Sequence, residues 1–262
     1  MEIEFNLTKS VEENAGHYFD LAKKAKKKLE GATKALGESQ KELLKLQQQG
    51  KAFLAEEEKR LKKKERKREW YEKFHWFISS QGFLCLGGKD ATSNEIIIKK
   101  YLEPEDLVLH TDMAGSPFFI IKNGQQAPEE TIREAAQATA VYSKAWKLGH
   151  STADVFYVNP NQVTKEARPG EFIGKGSFMI YGKTNYLYPR LEYAIGLVGQ
   201  KIIGGPVAAV ELKTKQLVIV IPGREKKSAL AKKIRAKLND GELEEIDRFL
   251  PSGGAEIKKS KS

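Results

Sequence analysis

The chain has 262 residues, of which 31% are charged and 40% hydrophobic, and its 45 Lys and Arg residues outnumber 35 Asp and Glu residues to give a net charge of +10. This length permits one or two domains with a real core, and the charge favours a polyanionic partner, with nucleic acid the first candidate. The sequence contains no apolar stretch of membrane-spanning length and no signal-peptide pattern, so we expect a cytoplasmic protein with no membrane partner. Its one cysteine, Cys85, lies in an apolar run and predicts a buried thiol in a reducing compartment.

The excess of positive charge is concentrated at the two ends of the chain. Residues 1–75 contain nineteen basic and fourteen acidic side chains, and residues 224–262 contain eleven and seven. The middle, residues 76–223, is nearly neutral, with fifteen and fourteen. A nucleic-acid surface in the middle of the chain therefore has to be a local patch rather than a field over the whole domain.

Residues 1–77 have the pattern of a long antiparallel coiled-coil hairpin. Ser10 and Glu13 have the spacing of a capping box at a helix start. A heptad seam of apolar and small residues follows, formed by Val11, Ala15, Tyr18, Ala22, Ala25, Leu29, Ala32 and Leu36. Gly50, after three glutamines, predicts a turn into a second helix over residues 52–77. Seam residues beyond the shorter arm could recruit a protein partner or a second copy of the chain.

A basic run lies near the end of this arm. Between Lys59 and Glu69, eight of eleven residues are Lys or Arg. Such a run is often only a solvated helix face, but two glutamates cannot pair with eight cations. We therefore favour a surface that contacts ribosomal phosphates without reading sequence. Its predicted contacts are Lys62, Lys63, Lys64, Arg66, Lys67 and Arg68.

From residue 78 the pattern changes to short strands and helices in mixed order, which predicts a compact α+β domain over residues 78–189 rather than a doubly wound parallel sheet. Its predicted strands are 83–87, 106–111, 117–122, 155–158, 162–165 and 177–181, and its predicted helices are 91–102 and 128–148. A small β-β-α extension is predicted over residues 190–250, followed by a disordered tail over residues 251–262. The extension is predicted to contain strands at 207–212 and 217–221 and a helix at 228–238.

A glycine-rich turn joins the first of these strands to the following helix. It contains Gly87, Gly88, Lys89 and Asp90, with Asn94 in the first turn of the helix. Convergent backbone N–H groups, a helix start and a lysine would together suit a phosphate. An ordinary glycine turn with Asp90 as N-cap is the alternative, because the spacing matches no established phosphate-binding motif.

His110 and Asp112 end a strand two residues apart, so their side chains point to the same side, and Gly115 follows in the loop. The pair could be a catalytic dyad or part of a metal site. However, no nucleophile elbow accompanies it, and no other His or Cys lies at metal-ligand spacing. We therefore predict a hydrogen-bonding pair that shapes a binding surface, with no metal, no cofactor and no enzymatic role.

Further polar residues lie at predicted turns. Gly182, Lys183 and Asn185 stand beside Tyr181 and Tyr186, and cations beside aromatic rings are typical of RNA contact. Core tyrosines at strand ends are equally common, so both interpretations stay open for these tyrosines. Three other residues are predicted contacts, although the first two are more typical of a turn: Lys122, Asn123 and Lys165.

Several separated motifs occur in one order between residues 71 and 187. They are KFHWFISS from Lys73, GGKD from Gly87, Asn94-Glu95, His110-x-Asp112 with Gly115, IKN from Ile121, QVxK from Gln162, and GSFMI from Gly176 with Gly182-Lys183. In this order they resemble the NFACT-R domain of ribosome quality-control factors, the family that includes the nuclear export mediator factor.

The resemblance implies an RNA-binding domain of a factor that docks on large ribosomal subunits obstructed by nascent chain–tRNA complexes. It also implies that the factor recruits or holds tRNA so that a C-terminal tail is added without mRNA. The sequence shows no N-terminal NFACT domain, so we expect the C-terminal half of such a factor, able to bind RNA or the ribosome but not to add tails alone. Two alternatives remain: a coiled-coil scaffold for a protein partner, and an RNA-processing enzyme that uses His110 and Asp112.

Overall fold

The computed structural model describes residues 4–64, 69–166 and 173–259. The chain divides into two compact units, residues 1–68 and 69–262, and each is described by itself. No helix in the described ranges is both long enough and apolar enough to cross a membrane.

The first unit is one long helix, α1 (Val11–Lys64). The predicted capping box is present: Ser10 N donates to Glu13 Oε2 at 2.9 Å, and Glu13 N donates to Ser10 Oγ at 3.1 Å. The predicted turn at Gly50 is absent because the helix continues through it, and the coiled-coil hairpin is not confirmed. A glycine in a helix interior costs only about 1 kcal/mol, and the strong helix formers around Gly50 offset this cost.

The second predicted helix, over residues 52–77, is wrong from residue 70 onward. Residues 70–73 form a single 3₁₀ turn, and β1 (His75–Ile78) is a strand. Alternating burial of Phe74 and Trp76 on one face and Phe77 on the other has the period of a strand rather than a helix. Of the predicted phosphate contacts, Lys62, Lys63 and Lys64 end α1, whereas Arg66, Lys67 and Arg68 lie outside the described residues.

The second unit is a mixed α+β structure. Its further strands are β2 (Leu84–Gly87), β3 (Leu107–Thr111), β4 (Phe119–Ile121), β5 (Val155–Val158), β6 (Val163–Thr164), β7 (Met179–Ile180), β8 (Asn185–Leu187), β9 (Tyr193–Val198), β10 (Lys201–Gly205), β11 (Leu217–Glu225) and β12 (Ala255–Ile257). Its helices are α2 (Ala91–Ile96), which continues as a π-helical turn (Ile97–Tyr101), α3 (Glu129–Val141), α4 (Lys144–Lys147), α5 (Val207–Glu211), α6 (Lys227–Leu238) and α7 (Leu243–Phe249).

Among the described residues, the strands form a large, a medium and a small sheet, all antiparallel. The large sheet has the order β1-β2-β4-β3-β5-β8, the medium sheet β10-β9-β11-β12, and β6 pairs with β7. Because β2 and β3 both run antiparallel to β4 between them, they run in the same direction and end at the same edge. The predicted α+β class is confirmed at this level.

Both faces of the large sheet are buried. Leu109 and Phe119 face a core shared with α3 and the medium sheet, and both are fully buried. Val108 and Ile120 face a second core that includes Ile97 of the π-helical turn. Two buried faces explain why these strands are almost continuously apolar, and each such side chain contributes roughly 1.5–3 kcal/mol on burial.

Three further predicted elements differ from the structure. The predicted helix 128–148 is divided in two, because Ser143 caps the start of α4 by accepting from Ala145 N at 3.1 Å. The predicted strand 207–212 is helix α5, since a short apolar run is ambiguous in period and Pro206 favours a helix start. The tail predicted to be disordered from residue 251 contains, in its described part, strand β12 paired with β11.

Candidate nucleic-acid interface

Two of the predicted contact segments meet at the edge of the large sheet where β2 and β3 end. The side chain of Asn94 joins them: its Oδ1 accepts from Phe118 N at 3.0 Å, and its Nδ2 donates to Ser116 O at 3.3 Å. Asn94 is buried, and the N–H group of Gly88 donates to Phe118 O at 3.1 Å. The glycine-rich turn and the loop after β3 therefore form one continuous surface.

The glycines of this turn are required for packing. A Cβ on Gly88 would lie 1.9 Å from Asn94 Oδ1, and one on Gly87 would lie 2.2 Å from the Phe119 ring. The predicted phosphate nest is satisfied from within, because Ser93 Oγ accepts from Lys89 N at 2.7 Å and from Asp90 N at 2.8 Å. What this turn offers to a ligand is therefore the charge of Lys89 rather than free backbone amides.

His110 is held as part of a binding surface. Its Nδ1 lies 2.9 Å from Pro117 O, and its ring stacks on Phe118 with centroids 4.0 Å apart. Burial lowers the pKa of His110, which favours the neutral ring with Nδ1–H donating to the carbonyl. Asp112 instead accepts a hydrogen bond from Tyr186 Oη, 3.3 Å from both carboxylate oxygens.

Within the described ranges, no hydrogen bond joins His110 to Asp112, and no three His, Cys, Asp or Glu side chains form a group that could hold a metal ion. The geometry is that of two side chains fixed separately on one face. This arrangement offers a surface with a hydrogen-bonding rim and shows no proton relay between the two groups.

Aromatic rings extend from His110 across three strands. The cross-strand registers place His110 opposite Phe156 and Phe156 opposite Tyr186, with ring centroids 6.1 Å and 5.7 Å apart. Phe178 packs edge-on against Phe118 at 5.4 Å. Tyr186 is 43% exposed at the end of the row. The sequence predicted neither Phe118 nor Phe156 as part of the site, although both flank the His110 motif in space.

The predicted cations divide into internal and external groups. Lys122 is internal, with its Nζ donating to Tyr101 O, Glu103 and Asp106. Lys165 is also internal: its Nζ donates to Gly174 O at 2.9 Å and to Ser177 O at 3.0 Å. Lys183 is exposed at the turn before β8. Lys89 and Lys183 are therefore the predicted lysines that remain available to a ligand in this domain.

The remaining predicted contacts are turn or strand positions. Asn123 has a left-handed backbone, with φ of 54°, and its N–H donates to Asp106 Oδ1 at 2.9 Å. Gly115 and Gly182 have φ of 82° and 84°, which favours glycine. Asn185 begins β8 opposite Tyr157. Their contact with RNA stays a prediction.

His75 in β1 is a half-buried base beside this site. Its ring stacks on Tyr142 with centroids 3.7 Å apart, and its Nδ1 is buried without a hydrogen-bond partner. Burial and the nearby charges of Lys89 and Lys227 lower the pKa of His75 to about 3. Between pH 6.5 and about 3, the His75 ring is therefore neutral in the native protein and protonated in the unfolded chain.

We expect acid sensitivity from this histidine. Because the pKa of His75 falls from 6.5 to about 3 on folding, the unfolded state binds one more proton between those values. The free energy of unfolding should then decrease by about 1.4 kcal/mol for each pH unit from 6.5 down to about 3. His75→Phe, which keeps an aromatic ring on Tyr142, should flatten this slope in urea unfolding, and His150→Gln should not. An unchanged slope in His75→Phe would contradict the assignment.

Comparison with known proteins places this surface in a family. Residues 73–182 match the NFACT protein RNA binding domain. The chain is 39% identical over 208 residues to the archaeal Rqc2 homolog aRqcH of Methanocaldococcus jannaschii, which covers 76% of this chain and 31% of that protein. It is 37% identical over 203 residues to the ribosome quality control complex subunit NEMF homolog of Drosophila melanogaster, covering 74% of this chain and 20% of the relative.

The human ribosome quality control complex subunit NEMF is 39% identical over 182 residues, covering 67% of this chain and 16% of that protein. The chain thus spans less than a third of each of these relatives. The matched segment contains the glycine-rich turn, the His110 loop and the aromatic row as far as Phe178, and Tyr186 lies four residues beyond its end. The chain therefore belongs to the NFACT family of ribosome quality-control factors, whose RNA-binding domain it carries at residues 73–182.

Proposed function

We propose that this chain is the RNA-binding part of a ribosome quality-control factor, which acts in the cytoplasm on large ribosomal subunits obstructed by nascent chain–tRNA. In this proposal it helps to recruit or hold tRNA for mRNA-independent C-terminal tailing. The observation that carries the proposal is the aromatic row from His110 to Tyr186, with a polar rim, which begins inside the segment that matches an RNA-binding family and ends four residues beyond it.

The row presents one exposed ring, Tyr186, beside the buried Phe156, and this arrangement fits single-stranded or looped RNA better than a duplex. An exposed aromatic ring stacks on the face of an unpaired base, whereas the base faces of an A-form helix are already covered by their stacked neighbours. Tyr186 offers the exposed ring, Asp112 and Asn185 offer hydrogen-bonding groups, and Lys183 and Lys89 offer charge to phosphates. Predicted phosphate contacts at the basic end of α1 would add affinity without sequence preference. Since His110 and Asp112 have separate partners, we propose a non-enzymatic role.

A second candidate rests on α1. Leu29, Leu36 and Phe53, all on the heptad seam or its continuation, are 69%, 63% and 64% exposed. Such a seam is typical of a helix that packs on another helix. A coiled-coil scaffold for a protein partner, or self-association, therefore remains the alternative function, and it is compatible with RNA binding by the second unit.

The direct test is cosedimentation of this chain with purified large subunits, with and without tRNA in the peptidyl site, over a salt series. The proposal expects saturable binding that prefers the tRNA-occupied subunit and weakens with salt, because released counterions drive it. Binding that ignores tRNA would reduce the function to electrostatic docking. An absence of binding at low salt would overturn the proposal and favour the scaffold.

One substitution tests the aromatic row. Tyr186→Ala should weaken binding to single-stranded RNA by about 1–3 kcal/mol through the loss of stacking. The matched control is Tyr188→Ala, because Tyr188 is 68% exposed and lies two residues away, beyond β8. The two affinities are compared by fluorescence anisotropy, and equal losses in both variants would remove the row from the interface.

A further inference from the structure

A cluster of basic side chains lies where the large sheet meets the C-terminal extension. His75 pairs with Gly87 in the β1–β2 register, and its ring stacks on Tyr142 at 3.7 Å. Tyr142 Oη in turn donates to Phe249 O at 2.8 Å. The stacked rings of His75 and Tyr142 therefore connect the end of β2, through Gly87, with the end of α7, through Phe249.

Three separate elements each place one cation here. Lys89 follows β2 by two residues, Lys227 is the first residue of α6, and Arg248 is in the last turn of α7. Lys89 and Arg248 are exposed, and Lys227 is half-buried. Two nearby acids have partners: Asp247 lies 3.2 Å from Lys227, and Asp90 accepts from Ser93 N at 2.7 Å.

The cations act on one another as close like charges do. Burial lowers the pKa of Lys89, the charges of Arg248 and Lys227 lower it further, and the charge of Asp90 partly opposes this shift. Charges of Lys89 and Lys227 also oppose protonation of His75. A bound anion would reduce the repulsion between these cations and would itself be attracted by them.

The position of the cluster indicates which anion it serves. Lys89 belongs to the turn that Asn94 joins to the His110 loop, so the cluster is continuous with the candidate nucleic-acid interface. A nucleic-acid strand crossing the aromatic row carries a phosphate at every nucleotide and needs cations beyond the bases that stack. A small metabolite would instead need an enclosed pocket.

We propose that Lys89, Lys227 and Arg248 together bind phosphate groups of the RNA backbone, so that the RNA-binding surface continues from the domain onto the C-terminal extension. This inference rests on the proposed RNA-binding function. It assigns a role to α6 and α7, which lie outside the segment that matches the RNA-binding family.

The test replaces all three cations with glutamine, in K89Q/K227Q/R248Q, and measures tRNA affinity against salt concentration. Each lost phosphate contact lowers the slope of log affinity on log salt by about 0.7–0.9, so the triple variant should lose about 2 units. The matched control is K215Q/K232Q/K237Q, which removes three exposed lysines from the same extension. Its slope should change by less than about half that amount. Equal slopes in the two triple variants would overturn the proposal.

A second readout separates this inference from the proposed function. Titration of the wild-type chain with inorganic phosphate should shift the backbone amide resonances of Lys89 and Arg248 in a saturable way, and should fail to do so in the triple variant. Phosphate binding at the cluster without any tRNA binding would overturn the proposed function but keep the anion site. Binding of tRNA with no phosphate response and an unchanged slope in the triple variant would overturn the anion site alone.

Discussion

Replacing Lys122 with methionine is expected to lower the free energy of unfolding by about 3–5 kcal/mol. Lys122 Nζ lies 2.7 Å from Asp106 Oδ2, 2.9 Å from Glu103 Oε2 and 2.8 Å from Tyr101 O. Asp106 is fully buried. Methionine has a similar length but no charge, so the Asp106 carboxylate would be left in the interior with only backbone donors, from Glu103 and Asn123.

Lys183→Met is the matched control, because it removes the same charge from an exposed turn. Its free energy of unfolding should stay within about 0.5 kcal/mol of wild type. The RNA affinities should show the opposite order: Lys183→Met should weaken binding, whereas folded Lys122→Met should bind as wild type does. Urea unfolding followed by circular dichroism gives the first quantity, and anisotropy at low urea gives the second. A stable Lys122→Met variant with weakened RNA binding would show that Lys122 contacts RNA and is not needed to neutralise Asp106.

This contrast shows why the sequence identifies candidate lysines but does not tell which are bonded inside the fold and which are available to RNA. Lys122, Lys165 and Lys183 each stand beside a turn, and the local patterns are similar. Their roles depend on what distant segments place within reach, such as Asp106 for Lys122 and the Gly174 carbonyl for Lys165. In the same way, Ser93 fills the predicted phosphate nest, and only the fold brings Phe156 between His110 and Tyr186.

The elements with one clear period were predictable. Strands β2, β3, β4 and β5 and helix α6 lie within one or two residues of their predicted ranges, because apolar runs bounded by turn residues identify them. At the missed elements, two influences on the backbone conformation compete, and the sequence pattern indicates the weaker one. The helix formers flanking Gly50 extend α1 past the predicted turn, and pairing with β11 gives order to a polar tail whose composition predicts disorder.

Trp146→Ala is expected to destabilise the second unit by about 3–5 kcal/mol. Trp146 in α4 is 1% exposed, and its Nε1–H donates to Gly254 O at 3.0 Å. The substitution opens a cavity in the shared core and also removes the bond that holds the segment before β12. Trp146→Phe retains most of the buried ring but loses the donor, so we expect an intermediate loss of about 1–3 kcal/mol.

The control is Trp70→Ala, which removes a ring that is 46% exposed and stacks on Tyr101 at 4.6 Å. Its expected cost is about 0.5–1.5 kcal/mol. Far-ultraviolet circular dichroism in urea measures all three variants, and hydrogen exchange of the β12 amides separates local from global loosening. Because Trp146 packs in the core common to the large and medium sheets, we expect both sheets to unfold in one transition. Rapid exchange in β12 alone, with the free energy of unfolding unchanged, would instead show that Trp146 stabilises only the pairing of the C-terminal strand.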